Sequence, residues 1–214
     1  MNGARGRFAF EARADEGLVS DFDVALSVAL GIGLAAATGF RVFLPMLVVS
    51  IAANTGHLPL AESFAWLGTP SALILLGVAA AAEILGYYLP GVDNLLDTLA
   101  TPAALVAGTV VSAAVITDLP PMVKWATAII AGGGVAGLIQ STTALLRAKS
   151  TLFTGGLGNP VVATTELGGS LLVSILALAA PLIALLLVVL FLWLALRLLL
   201  RLTRKESPSP DRRA

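Results

Sequence analysis

Two glutamates sit inside apolar stretches of the chain, in matching frames. Val78-x-Ala80-x-x-Glu83-Ile84-x-Gly86 occupies one stretch, and Val161-x-Ala163-x-x-Glu166-Leu167-x-Gly169 the other. An ionisable side chain at mid-bilayer depth costs about 2.5–3.5 kcal/mol on insertion scales, and such residues mark pathways and relays. Glu83 and Glu166 are therefore candidates for handling protons or cations, or for lining the path of a solute. The opposing reading is structural, with each carboxylate bonded to an arginine or a backbone group. Arg41 is the candidate partner. It lies midway along a third apolar stretch, four residues before Pro45. Proline lacks the N–H that would bond the carbonyl one turn earlier, here that of residue 41 itself. A charge at a broken helix is a feature of transporter sites, and an ion pair with Glu83 or Glu166 would equally account for it. Both readings place arginine and glutamate close together.

Further residues carry alternatives of their own. Asp93 and Asp97, at i and i+4, share one helical face beside Asn94. Oxygen ligands in this number suit a hard cation, whereas acids at a helix start are favoured by the dipole alone; Asp97 is placed to help cap a helix from about residue 98. Thr154-Gly-Gly-Leu-Gly-Asn159-Pro160 is turn-rich. It suits a re-entrant gate or an anion nest, or a plain loop with Asn159 as N-cap and Pro160 first in the helix. Gly132, Gly133, Gly134 and Gly137 precede Gln140, Ser141, Thr142 and Thr143. Small residues permit close helix packing, and the polar group after them could form a flexible wall of a pathway. Gly86, Gly168 and Gly169 permit close approach beside the glutamates. His57 is the only histidine and stands apart from other ligand types, so no metal site and no cofactor are expected.

The elements that must position these groups are membrane helices. The chain has 214 residues, 57% hydrophobic and 12% charged, with mean hydropathy +0.94. Soluble domains carry about 25% charged residues, so lipid is the solvent this surface fits. Formal net charge is zero, which argues against nucleic acid as a partner. There is no cysteine, which removes disulfides, thiolate metal sites and cysteine nucleophiles. Ten arginines against three lysines, with abundant alanine, suggest a GC-rich bacterial source.

A spanning helix needs about 20 apolar residues. Six stretches qualify, at about 24–53 (interrupted by Arg41 and Pro45), 71–89, 98–117, 121–146, 160–180 and 182–203. The last two have no polar loop between them, but one helix over 160–203 would be about 65 Å long, twice the roughly 30 Å hydrocarbon core. A turn is expected at Ala179-Ala180-Pro181. A five-span alternative makes 150–170 re-entrant. Positive residues collect on the cytoplasmic side. Six spans with both termini cytoplasmic put eleven of the thirteen Lys and Arg inside, Arg147 among them. Trp66 and Trp125 then fall at the outer interface, Tyr87 and Tyr88 at the inner. Residues 1–22 and 205–214 read as polar tails, the first of them mobile, flanking a single membrane domain at 23–204. Gly31 to Arg41 parallels Gly137 to Arg147, and Pro102 opens the third span as Pro181 opens the sixth. The halves 23–117 and 121–204 would then be inverted repeats of three spans each.

Gly31-Ile-Gly-Leu-Ala-Ala-Ala-Thr-Gly-Phe-Arg41-Val-Phe-Leu-Pro45, then Pro90-Gly-Val-Asp93-Asn-Leu-Leu-Asp97, then Thr154 to Pro160 with Glu166 together resemble a multi-pass membrane family known as a domain of unknown function, mainly bacterial. The resemblance covers about residues 24–200 and implies no substrate, reaction or catalytic residue.

The fold expected is all-α and integral to the membrane, in a bacterial inner membrane. The function expected is a small transporter or channel-like protein with Arg41, Glu83, Gln140 and Glu166 along a polar path coupled to protons. Asp93, Asp97 and Asn159 form a second candidate site. The alternative is a non-transporting scaffold or accessory subunit with structural charges. An enzyme is not expected, since no hydrolase or metal motif is present. The expected partners are the lipid bilayer and a small ion or solute, with self-association allowed.

Overall fold

The computed structural model describes residues 3–89 and 91–204. Eight α-helices follow in order: α1 (Gly3–Phe40), α2 (Phe43–Asn54), α3 (Pro70–Tyr87), α4 (Val92–Val115), α5 (Pro121–Thr127), α6 (Gly134–Thr154), α7 (Asn159–Ala179) and α8 (Pro181–Arg204). A 3₁₀ turn (Glu62–Gly68) precedes α3, and a π-helical stretch (Ala128–Gly133) joins α5 to α6 without a break. No strand occurs among the described residues. Residues 3–22, expected as a polar tail, are helical and continuous with α1. The expected tail at 205–214 lies outside the described residues.

Five helices are long and apolar enough to cross a membrane: Asp21–Phe40, Pro70–Tyr87, Val92–Val115, Pro121–Thr154 and Asn159–Ala179. Phe43–Asn54 and Pro181–Arg197 are apolar and shorter. The surface agrees with a lipid environment. Ile74, Leu75, Val106, Ile130, Leu172 and Leu186 are all more than 60% exposed, a density of bare apolar side chains that water would not tolerate. The protein is an all-helical membrane protein.

Side-chain contacts fix the direction of each helix. One end of the bundle carries the long connections. There the Ala61 amide donates to the Ala114 carbonyl at 2.8 Å, and Phe64 packs on Trp125 with ring centroids 6.0 Å apart. The other end carries the short turns after α3 and α6, tied by Asn159 Nδ2 donating to Asp93 at 2.6 Å. α1 runs from the connection end towards the turn end. Gly31 lies against Ser112 and Ile116 late in α4, whereas Arg41 reaches the Ala163 carbonyl early in α7. α2 runs back: Val42 meets Glu83 near the end of α3, and Asn54 bonds the Gly68 carbonyl just before α3 begins.

This reversal corrects the expectation of a single span over 24–53. The stretch is two helices meeting at Arg41–Val42, each heading the opposite way. Hydropathy could not separate them because both arms are equally apolar. α8 runs parallel to α1, with Ala184 near Gly33 and Phe191 packed edge-on against Phe40 at 5.7 Å. Asp21 and Arg197 therefore lie at opposite ends of the bundle, which is not the arrangement expected for two termini on one side. α6 also runs parallel to α1, so the Gly31–Arg41 and Gly137–Arg147 spacings do not relate inverted helices. α3 and α7, which carry the glutamates, do run oppositely. Pro102 lies inside α4 and opens no helix. Pro181 does open α8, and the chain turns at Ala180 as the proline predicts. The segment 150–170 is the end of α6, a four-residue turn and the first half of α7. Gly155 and Gly156 make that turn with φ of 61° and 90°, a region that side chains disfavour.

Glycine sets the closest helix contacts. A Cβ at Gly132 would lie 2.2 Å from Ser112 Oγ, and one at Gly108 2.5 Å from Ala136 Cβ. Gly133 and Gly137 are equally tight against α4, and Gly86 against Leu96. Gly134, Gly168 and Gly169 face open space. Close packing thus accounts for most of the 132–137 glycines and for Gly86. It does not account for the pair beside Glu166.

Candidate functional site

The α1–α2 break supplies the first half of the site. Val42 is the N-cap of α2 and Phe43 its first residue, so their amides have no partner within the helix. Glu83 of α3 fills that role from outside, accepting from Val42 N at 2.7 Å and Phe43 N at 3.0 Å. Its carboxylate sits where the α2 dipole is positive, buried at 7% exposure. Pro45 sits in the first turn of α2, where its missing N–H costs nothing.

The break also delivers Arg41 to the interior at 1% exposure. Its Nη2 donates to the Ala163 carbonyl at 2.9 Å and lies 3.5 Å from Glu166 Oε2. Glu166 points inward because α7 buries Asn159, Ala163, Glu166, Ser170 and Ser174, a stripe at three- and four-residue spacing. The same rule on α6 buries Gln140, Thr143 and Arg147. Arg147, also 1% exposed, pairs through Nη1 with Asp97 of α4 and through Nη2 with Glu166. Tyr87, one turn after Glu83, lies under both guanidinium groups. The Arg41 and Arg147 carbons stand 3.9 and 4.3 Å from its ring centroid, within cation–π range.

The result is one buried cluster drawn from the α1–α2 break, α3, α4, α6 and α7. Two guanidinium groups meet three carboxylates, Glu83, Asp97 and Glu166, with Asp93 buried one turn before Asp97, so negative charge is in formal excess. Several polar atoms find no protein partner: Arg41 Nε and Nη1, Arg147 Nε, Gln140 Nε2, Asn159 Oδ1 and Glu166 Oε1. Two cavities of about 380 Å³ flank the cluster. One, between α2, α3 and α4, ends on Glu83 and Tyr87. The other, between the end of α1 and α6, α7 and α8, ends on Glu166.

Comparison with known proteins places this cluster in a family. A family model described as a domain of unknown function, DUF4126, matches residues 28–201. The chain belongs to the DUF4126 family. The match spans every residue of the cluster. No curated protein and no solved structure matches the chain.

Of the residues expected from the sequence of this DUF4126 chain, Arg41, Glu83 and Glu166 come together. Gln140 is buried at 1% exposure on the Arg147 face of α6, with its amide nitrogen unpartnered and outside the ion pairs. Asp97 sits inside α4, where it pairs with Arg147, so it does not cap a helix. Asp93 is buried at 3%, not solvated, and accepts from the Gly91 and Asn94 amides and from Asn159. Asn159 is not an N-cap; Gly158 holds that position, and the Asn159 side chain bonds Asp93 and Thr151. Asp93 and Asn159 therefore lock the two short turns together. His57 is exposed, and its ring lies 3.0 Å from the Thr55 hydroxyl.

Two members of the cluster escaped sequence reasoning. Arg147 reads as a cytoplasmic charge near a helix end, yet it is as buried as Arg41. Its signal was the Gly137–Arg147 spacing that copies Gly31–Arg41. Tyr87 reads as an interface aromatic, yet it is 3% exposed. Its signal was the four-residue step from Glu83, which stacks the two on one face.

Proposed function

We propose that the protein is a small transporter or channel-like protein of the bacterial inner membrane, with the Arg41–Tyr87–Arg147–Glu166 cluster as its working site. The observation that carries the reading is the conjunction of a broken helix with buried charge at the break. Discontinuous helices whose ends meet at a polar site are the common architecture of secondary transporters. The π-helical stretch before α6 adds a second irregularity, and such bulges concentrate at functional sites. Donors on Arg41, Arg147 and Gln140 without protein partners support access by water or solute, since buried polar groups are otherwise bonded.

The helix directions also support a topology. Apart from the buried Arg41 and Arg147, the described residues put Lys149, Arg197, Arg201 and Arg204 at the turn end and Arg5, Arg7, Arg13 and Lys124 at the connection end, and Lys205, Arg212 and Arg213 follow Arg204 in the sequence. With those three counted beside Arg204, the balance of positive residues supports a cytoplasmic turn end, with the C-terminus inside and the N-terminus outside. An inverted repeat then rests on α2–α4 against α6–α8, whose members run oppositely, with α1 outside the repeat.

A structural reading also has specific support. Glu83 satisfies two backbone amides, and Arg147 is paired on both Nη atoms. In that reading the protein is a scaffold or accessory subunit. The chain's lack of cysteine makes the test direct. Single cysteines at Gln140, Thr143 and Thr165 are probed with a membrane-impermeant thiol reagent, alongside proton flux into proteoliposomes. Transport predicts labelling from at least one side and flux that Glu166→Gln abolishes. Complete protection at all three positions together with absent flux would sink it in favour of the scaffold.

A further inference from the structure

We propose that the cavity ending on Glu166 binds an amphiphile with an apolar body and a single cationic amine head, taken laterally from the membrane. The inference deepens the transport reading and rests on it only for movement of the ligand, not for its binding.

Three observations converge. The first is shape. The cavity, about 380 Å³, is walled by Phe40, Leu146, Val162 and Phe191, with Thr143 and Glu166 at its polar end. That volume falls in the range of small-molecule sites. Leu146 and Val161, both in its lining, are 51% and 69% exposed, so the cavity opens on the apolar outer surface of the bundle.

The second is hydrogen bonding. The Thr143 hydroxyl donates to the Gln140 carbonyl on its own helix. Glu166 spends Oε2 on Arg147 and on Arg41, leaving Oε1 buried without a partner. Glu166 therefore lines the cavity while holding an unfilled acceptor buried behind that wall, and the head group it suits is a donor.

The third is charge. Two guanidinium groups face three carboxylates in the cluster, with buried Asp93 a fourth acid one turn before Asp97, so the formal balance is negative and an added positive charge offsets part of it. A cation gains from that balance, a neutral donor gains only the hydrogen bond, and an anion is repelled by the carboxylate. The opposite cavity ends on Glu83, whose oxygens already accept two amides, and lacks the unfilled atom.

The test uses the full chain in nanodiscs, with empty nanodiscs subtracted. The probes are dodecylamine, dodecanol and dodecyl sulfate, matched in chain length. Saturable binding of the amine is expected, about tenfold or more tighter than the alcohol, the ratio for one hydrogen bond to a charged group. Val162→Phe, which fills the cavity without touching a charge, should weaken amine binding at least about tenfold by the loss of that volume. Ala103→Phe, in the opposite cavity, should leave it unchanged. Glu166→Gln, checked for folding by thermal unfolding, should bring the amine down to the alcohol. Equal binding of amine and alcohol, or binding indifferent to Val162→Phe, overturns the site. Binding by these rules with no amine flux in proteoliposomes keeps the site and counts against transport alone.

Discussion

Replacing Glu83 by glutamine tests whether the α1–α2 break is held from α3. The carboxylate accepts from Val42 N at 2.7 Å and Phe43 N at 3.0 Å in a buried setting. A carboxamide of the same shape offers one acceptor oxygen, and its NH₂ must face the second amide. One hydrogen bond to a charged acceptor is worth about 1.5–3 kcal/mol, and an amide left buried and unbonded costs about 1–3 kcal/mol more. The central expectation for Glu83→Gln is a loss of about 3 kcal/mol, or more than a hundredfold in the unfolding equilibrium. Glu83→Ala removes both bonds and should cost about 4–6 kcal/mol on the same figures. The assay is equilibrium unfolding in mixed detergent micelles, followed by the fluorescence of Trp66, Trp125 and Trp193. Amide hydrogen exchange adds the local readout: Val42 and Phe43 should exchange faster in Glu83→Gln while the middle of α4 changes little. A variant within about 0.5 kcal/mol of the parent, the ordinary scatter of surface substitutions, with unchanged exchange at those two amides, would refute the capping role.

Arg147→Gln strips the partner from both Asp97 and Glu166 and should cost about 3–5 kcal/mol, the usual result of breaking a buried ion pair. In micelle unfolding, adding Glu166→Gln to it should cost less than the sum of the two, as expected for residues in one network. Tyr87→Leu keeps an apolar side chain but loses the ring under two guanidinium groups; a stability loss of at least about 1–4 kcal/mol is expected from two cation–π contacts, and no loss would contradict the stacking. Gly108→Ala would press a Cβ to 2.5 Å from that of Ala136, so reduced thermal stability is expected. Gly134→Ala meets nothing within 4 Å and should be neutral or gain up to about 1 kcal/mol from helix propensity. Cysteine at Leu157, in the turn after α6, should react with an impermeant reagent from the cytoplasmic side only, and cysteine at His57 from the outside only; the reverse pattern would invert the proposed topology.

The sequence by itself determined that this is a helical membrane protein. Twenty-residue apolar stretches and a 12% charged fraction leave no other solvent for the surface. It also identified Glu83, Glu166 and Arg41, because an ionisable group in an apolar stretch stands out against its neighbours whatever the fold. Pro181 and its turn were legible for the same local reason, since proline acts on its own backbone and that of the residue before it. What only the tertiary structure decided is which charges meet, and on which side of the chain's turns. Arg147 and Asp97 lie near helix ends, where a linear reading places solvent; their burial depends on α4 and α6 packing across fifty residues of chain. Asp93 and Asn159 became partners because two distant turns share one end of the bundle. The reversal at Arg41–Val42 was hidden because hydropathy has magnitude but no direction. Two amides freed by the break needed an acceptor, and the helix that supplied it, forty residues on, is what turned one apparent span into two.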